Sequence, residues 1–149
     1  MSVAVIIKTV KQVHSDYLVL VRTGGFLHAY GKDSYILSYL FGYKIKQLEE
    51  NFATCGFPEN TLNKVMATLE NKKINYMILD RKNNYETDCK ENYKNLNNYQ
   101  KVYEKAHNYV NLQRRITNIC EELQKRINDD NFKEVLQSME EKIYEGRKI

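Results

Sequence analysis

The sequence predicts an α+β protein: a mixed β-sheet flanked by helices, followed by a C-terminal α-helical hairpin. Three observations predict it. Up to residue 88, short apolar runs at strand spacing are interleaved with stripes at helical spacing. A Gly24-Gly25 pair separates two such runs, as a β-hairpin requires. From residue 99 onward, apolar residues recur at steps of three and four, the seam of a long helix packed on another. The expected division is 1–88 for the α/β domain, 89–98 for a polar connection and 99–149 for the helical hairpin.

Taken in order, Val5, Ile6, Val10 and Val13 stand at near-helical spacing, although their β-branched content makes a strand the competitor. His14-Ser15-Asp16 turns the chain into residues 17–21, a continuous apolar run of the kind found in strands buried on both faces. Arg22-Thr23-Gly24-Gly25 reverses the chain, the glycines permitting positive φ. On the return, Phe26, His28 and Tyr30 share one face, and Leu27 and Ala29 the other. Lys32-Asp33-Ser34 offers an N-cap to a helix with the stripe Tyr35, Ile36, Tyr39, Leu40 and Tyr43, and Gly42 stops it. Those tyrosines read as core with hydroxyls at the rim rather than as a stacking platform.

Lys44-Ile45-Lys46 reads as a strand with Ile45 inward and both lysines outward, Glu49-Glu50-Asn51 as a turn, and residues 52–57 as the returning strand. After Pro58, Asn60 or Thr61 is placed to cap a helix whose apolar face is Leu62, Val65, Met66 and Leu69. Asn71-Lys72-Lys73 ends that helix, residues 74–79 form a bulky strand, and residues 81–84 a turn. Residues 87–98 are polar and asparagine-rich, a connection. The C-terminal seam runs through Leu96, Tyr99, Tyr103, Ala106, Val110, Ile116, Cys120, Leu123 and Ile127. Asp129-Asp130-Asn131 interrupts it, and Asn131 with Glu134 would cap a second helix carrying Phe132, Val135, Leu136, Met139 and Ile143.

With 149 residues the chain has room for one domain of moderate core and an appended helical element. A net charge of +4 is mild: it permits nucleic acid without demanding it. Cys55, Cys89 and Cys120 lie far apart, without Cys-x-x-Cys or Cys/His spacing, so free thiols and no metal are expected. The amino terminus lacks a basic lead-in, and no apolar stretch approaches the ~20 residues of a membrane helix. A cytoplasmic protein without membrane contact is the expectation.

No catalytic constellation emerges. Residues 25–33 resemble a P-loop only faintly: five residues instead of four separate Gly25 from the Gly31-Lys32 pair, and Asp33 follows where Ser or Thr is needed. The pairs Glu49-Glu50, Glu121-Glu122 and Glu140-Glu141 are neighbours that do not face one another on a helix. His28 lacks a visible nucleophile and orienting carboxylate, and Cys55 beside Gly56 reads as a small residue at a tight strand end. The expectation is a protein that is not an enzyme and uses no cofactor.

Two motifs carry a family resemblance. The segment through Arg22, Gly24, Phe26 and Asp33 resembles the Arg-x-Gly-Asp-Phe-Tyr-Glu stretch of the N-terminal, mismatch-reading domain of MutS. Cys55-Gly56-Phe57-Pro58 resembles that family's Ala-Gly-Ile-Pro, likewise followed by an amphipathic helix and an apolar strand. The resemblance covers about residues 1–80, and it favours a helix for the first element.

In that family the phenylalanine wedges beside a mispaired base and the glutamate two positions on hydrogen-bonds it. Phe26 matches the wedge; His28 replaces the glutamate, Gly25 the aspartate and Leu27 the tyrosine. The resemblance thus implies a nucleic-acid-binding site at Phe26 and His28, flanked by Arg22, Lys32, Lys44 and Lys46. The chain also looks like the small MutS-like proteins encoded beside reverse transcriptases of diversity-generating retroelements. That likeness implies an accessory protein for DNA, RNA or a hybrid, docked through its C-terminal helices to a reverse transcriptase or to a second copy. The alternative is a protein-interaction adaptor that has lost nucleic-acid contact.

Overall fold

The computed structural model describes residues 2–48 and 52–145; the turn expected at Glu49-Glu50-Asn51 lies outside them. The chain divides into two compact units, Met1–Val110 and Asn111–Ile149.

The first unit opens with helix α1 (Val3–Val13), whose N-cap Ser2 accepts a hydrogen bond from the Val5 amide. Strand β1 (Leu18–Thr23) and strand β2 (Phe26–Tyr30) form the expected hairpin, with Thr23 opposite Phe26 and Gly24 at φ 60°. Helix α2 (Lys32–Phe41) ends at Gly42. The edge strand β3 (Lys46–Leu48), strand β4 (Phe52–Pro58), helix α3 (Leu62–Asn71), strand β5 (Tyr76–Asp80) and strand β6 (Glu86–Glu91) follow. The six strands make one sheet in the order β3-β4-β2-β1-β5-β6. Among the described residues only the central β1–β5 pair is parallel.

The unbroken apolar run of β1 is explained by its place. Leu18 and Leu20 point into the larger core, with Leu27, Ala29, Cys55, Phe57 and Ile78 of the sheet and with α2, α3 and the start of helix α4 (Tyr99–Lys125). Val19 and Val21 point the other way, onto Ile7 of α1 together with Met77 and Leu79. Both faces of the central strands are therefore covered, and alternation is lost there.

Five expectations need correction. Asp33 does not cap α2: Gly31 holds the N-cap position without a side-chain bond, and the Asp33 carboxylate is buried inside the protein. The buried face of α2 is Ser34, Ile36 and Leu37; Tyr35 and Tyr39 flank it, with ring centroids 6.3 Å from His107 and 5.6 Å from Tyr109 of α4. The strand expected at Lys44-Ile45-Lys46 begins only at Lys46 and is fully exposed, because it adds to the sheet edge by pairing Lys46 with Thr54. Finally, the polar stretch expected as a connection contains β6, which pairs with β5 along its length. Its charged residues suit an edge strand, where propensity counts less than the pairing partner. At α3, Thr61 takes the N-cap position, but its hydroxyl donates to the Pro58 carbonyl instead of capping the helix.

In the second unit the rest of α4 is followed by helix α5 (Phe132–Glu145). No side chain is buried there among the described residues, and Leu112, Ile116, Ile119, Ile127, Val135, Leu136 and Ile143 are exposed. No helix of the described residues is long and apolar enough to cross a membrane.

Candidate nucleic-acid interface

Helix α1 packs on the β1–β5 half of its side of the sheet and reaches half-buried Tyr30 and Phe52 at its border, so the strip on β2, β4 and β3 is open from Phe26 and His28 up to Tyr30. Along it stand Phe26, His28 and Tyr30, alternate residues of β2. Phe26 is 52% exposed at the tip of the hairpin, while Leu27 and Ala29 between them are fully buried on the opposite side. The ring centroids are 6.4 Å apart from Phe26 to His28 and again from His28 to Tyr30. Tyr30 in turn stacks on Phe52 of β4 at 5.3 Å and 11°. The row is a consequence of the strand period.

His28 is fixed from two sides. Its Nδ1 lies 3.1 Å from the Thr23 hydroxyl, and its cross-strand neighbour is Gly56. A Cβ at position 56 would come within 2.6 Å of His28 Cδ2, so only glycine lets the imidazole lie down on the sheet. Burial, then the neighbouring Lys46 charge, hold the imidazole below its ordinary pKa. At neutral pH it therefore presents an uncharged flat ring where the family pattern has a carboxylate.

Lys44 and Lys46 line the shallow depression over Phe26, His28, Tyr30 and Gly56. Lys32 belongs to an adjoining depression shared with Lys8, Tyr30, Leu48 and Phe52, and its Nζ sits 5.0 Å above the Tyr103 ring. Arg22 is not brought to this strip. It faces the other side of the sheet with its partner Leu27, and its guanidinium is held by Glu59 and by Asp88 at 2.9 Å. Sequence reasoning missed Lys8 and Phe52 as members of the strip. Lys8 is merely an exposed residue of a helix in sequence, and Phe52 reads as one more strand aromatic.

Beneath the strip the chemistry is structural. The Cys55 thiol is buried, donates to the Ser34 carbonyl at 3.6 Å, and is pushed up to about 12 by burial and by Asp33, which leaves it unreactive. Asp33 accepts bonds from Lys11 Nζ at 3.0 Å, the Tyr99 hydroxyl at 2.6 Å and the Val19 amide at 3.0 Å. Burial raises its pKa, and these donors offset part of the rise. One carboxylate thus ties α1, β1, α2 and α4 together. Among the described residues no cluster of His, Cys, Asp or Glu is arranged to hold a metal ion.

A comparison with curated proteins finds no match to this chain. The family model described as MutS domain I, however, matches residues 6–120, further along the chain than the two motifs reach. With its sheet, its hairpin and most of its length inside that match, the chain belongs to the MutS domain I family.

Proposed function

We propose that this protein is a non-catalytic nucleic-acid-binding accessory protein whose contact surface is the open strip of β2. Phe26 is the apolar wedge, His28 an uncharged ring beside it, and Lys44, Lys46 and Lys32 the phosphate contacts. The observation that carries this reading is an aromatic side chain more than half exposed at a hairpin tip, over a depression lined by Lys44 and Lys46, in a chain of a family that reads DNA in MutS. Arg22 is left out of the contact set because two carboxylates already hold it. Salt-dependent gel shifts test the reading. Phe26→Ala should weaken binding while leaving the far-ultraviolet circular dichroism unchanged. The double change Lys44→Gln, Lys46→Gln should lower the slope of log affinity against log salt by about 2. Unchanged affinity in Phe26→Ala refutes it.

The accessory role goes with a partner, which docks on the exposed apolar residues of α4 and α5. In the retroelement setting the partner is a reverse transcriptase encoded beside this protein. Co-purification of the two, lost on Ile116→Glu, is the expected result. The adaptor reading is favoured by the same exposed residues and by the engagement of Arg22. It predicts no gel shift at moderate salt with any nucleic acid.

A further inference from the structure

We propose that the open strip takes single-stranded nucleic acid in an extended form, with unstacked bases laid along Phe26, His28 and Tyr30, rather than a base pair within a duplex. This rests on the reading of the strip as a nucleic-acid surface and names its ligand class.

The pitch of the rings carries it. Stacked nucleotides advance about 3.4 Å per residue along a strand, whereas the two ring-to-ring steps here are 6.4 Å each. Consecutive stacked bases therefore cannot meet consecutive rings, while a strand pulled out to roughly twice its stacked rise can. A duplex hides its base faces between neighbouring pairs, so it has use for a single wedge at one opened step. It has none for a row that continues past the wedge to a tyrosine braced on a second ring. A single strand exposes every base face, and each such stack adds affinity without regard to sequence.

Charge agrees with this occupant. Lys46 stands level with Tyr30 across Thr54, Lys44 lines the same depression, Lys8 and Lys32 line the adjoining one, and the two depressions meet at Tyr30 and Leu48. Among the described residues that line them, none is acidic. A phosphate chain running along the row thus meets cations on its β3 side and around its Tyr30 end.

The chain contains no tryptophan, so Phe26→Trp and Tyr30→Trp each install a single reporter. A short oligothymidylate or oligouridylate should quench both reporters, and it should bind the unmodified protein at least about tenfold more tightly than a matched or singly mismatched duplex of equal length. Tyr30→Ala should weaken single-strand binding by about 5- to 150-fold, the span expected for one lost stack, and Tyr30→Phe should retain it. If Tyr30→Ala fails to fold, quenching in Tyr30→Trp together with the duplex comparison decides. A mismatched duplex that quenches Phe26→Trp and binds more tightly than the single strand, with Tyr30→Trp silent, overturns this inference and leaves the broader function standing. Absence of binding to every nucleic acid overturns both.

Discussion

A single methyl group at Gly56 would reach further than its size suggests. The Cβ would meet the His28 ring at 2.6 Å and the Leu27 carbonyl at 3.1 Å, so the imidazole must lift off the sheet and leave its Thr23 hydroxyl. Gly56→Ala should therefore cost about 1 kcal/mol in urea denaturation, the worth of one hydrogen bond. The loss should largely vanish in a His28→Ala background, a coupling that a double-mutant cycle reads directly. His28 also has a pH signature. Its folded pKa is lowered, so the unfolded chain binds more protons. The stability it contributes is complete above the ordinary value of 6.5 and is lost as pH falls through the folded value. Nuclear magnetic resonance should find its titration midpoint below 6.5, and a midpoint above that would contradict the burial and Lys46 account.

Among the elements, the joint at Asp33 holds the helices to the sheet. The Lys11 ammonium and the Asp33 carboxylate are paired at 3.0 Å, with Asp33 fully enclosed. Removing the cation strands a buried charge, so Lys11→Met should destabilise the fold by roughly 3 kcal/mol. Tyr99→Phe, which deletes one bond to the carboxylate, should cost about 1.5–3 kcal/mol. Chemical denaturation checks both.

Here the limits of the sequence are instructive. The double-sided burial of β1, the Gly24 reversal and the in-out alternation of Phe26 to Tyr30 follow from local pattern and were legible. The role of Asp33 was not, because Lys11 and Tyr99 are brought to it from distant parts of the chain. Strand β6 was hidden for a related reason: its polar residues become a strand through hydrogen bonds to β5. The strip itself was half legible. Phe26 and His28 stand out in sequence, whereas the engagement of Arg22 by Glu59 and Asp88 exists only once three separate segments meet.

Over the whole molecule, an apolar series on α4 and α5 accompanies a first unit that buries its own core. Leu112, Ile116 and Ile119 are each close to half exposed or more, an arrangement that marks association surfaces. Sedimentation velocity should find concentration-dependent association of the full chain, reduced by Ile116→Glu without loss of helical signal. A monomer at all concentrations would rule out self-association through these residues.

The parallel neighbour of β1 is β5, and strands β2, β3 and β4 with helices α2 and α3 lie between them in sequence. Closure of the middle of the sheet must wait for that long excursion to finish, a high-contact-order step that slows folding. The hairpin bearing the ring row is by contrast local and can assemble early. During synthesis, then, Val19 and Val21 lack their lasting neighbour until residue 80 has emerged, and a product truncated before that point would carry a naked β-edge prone to clump.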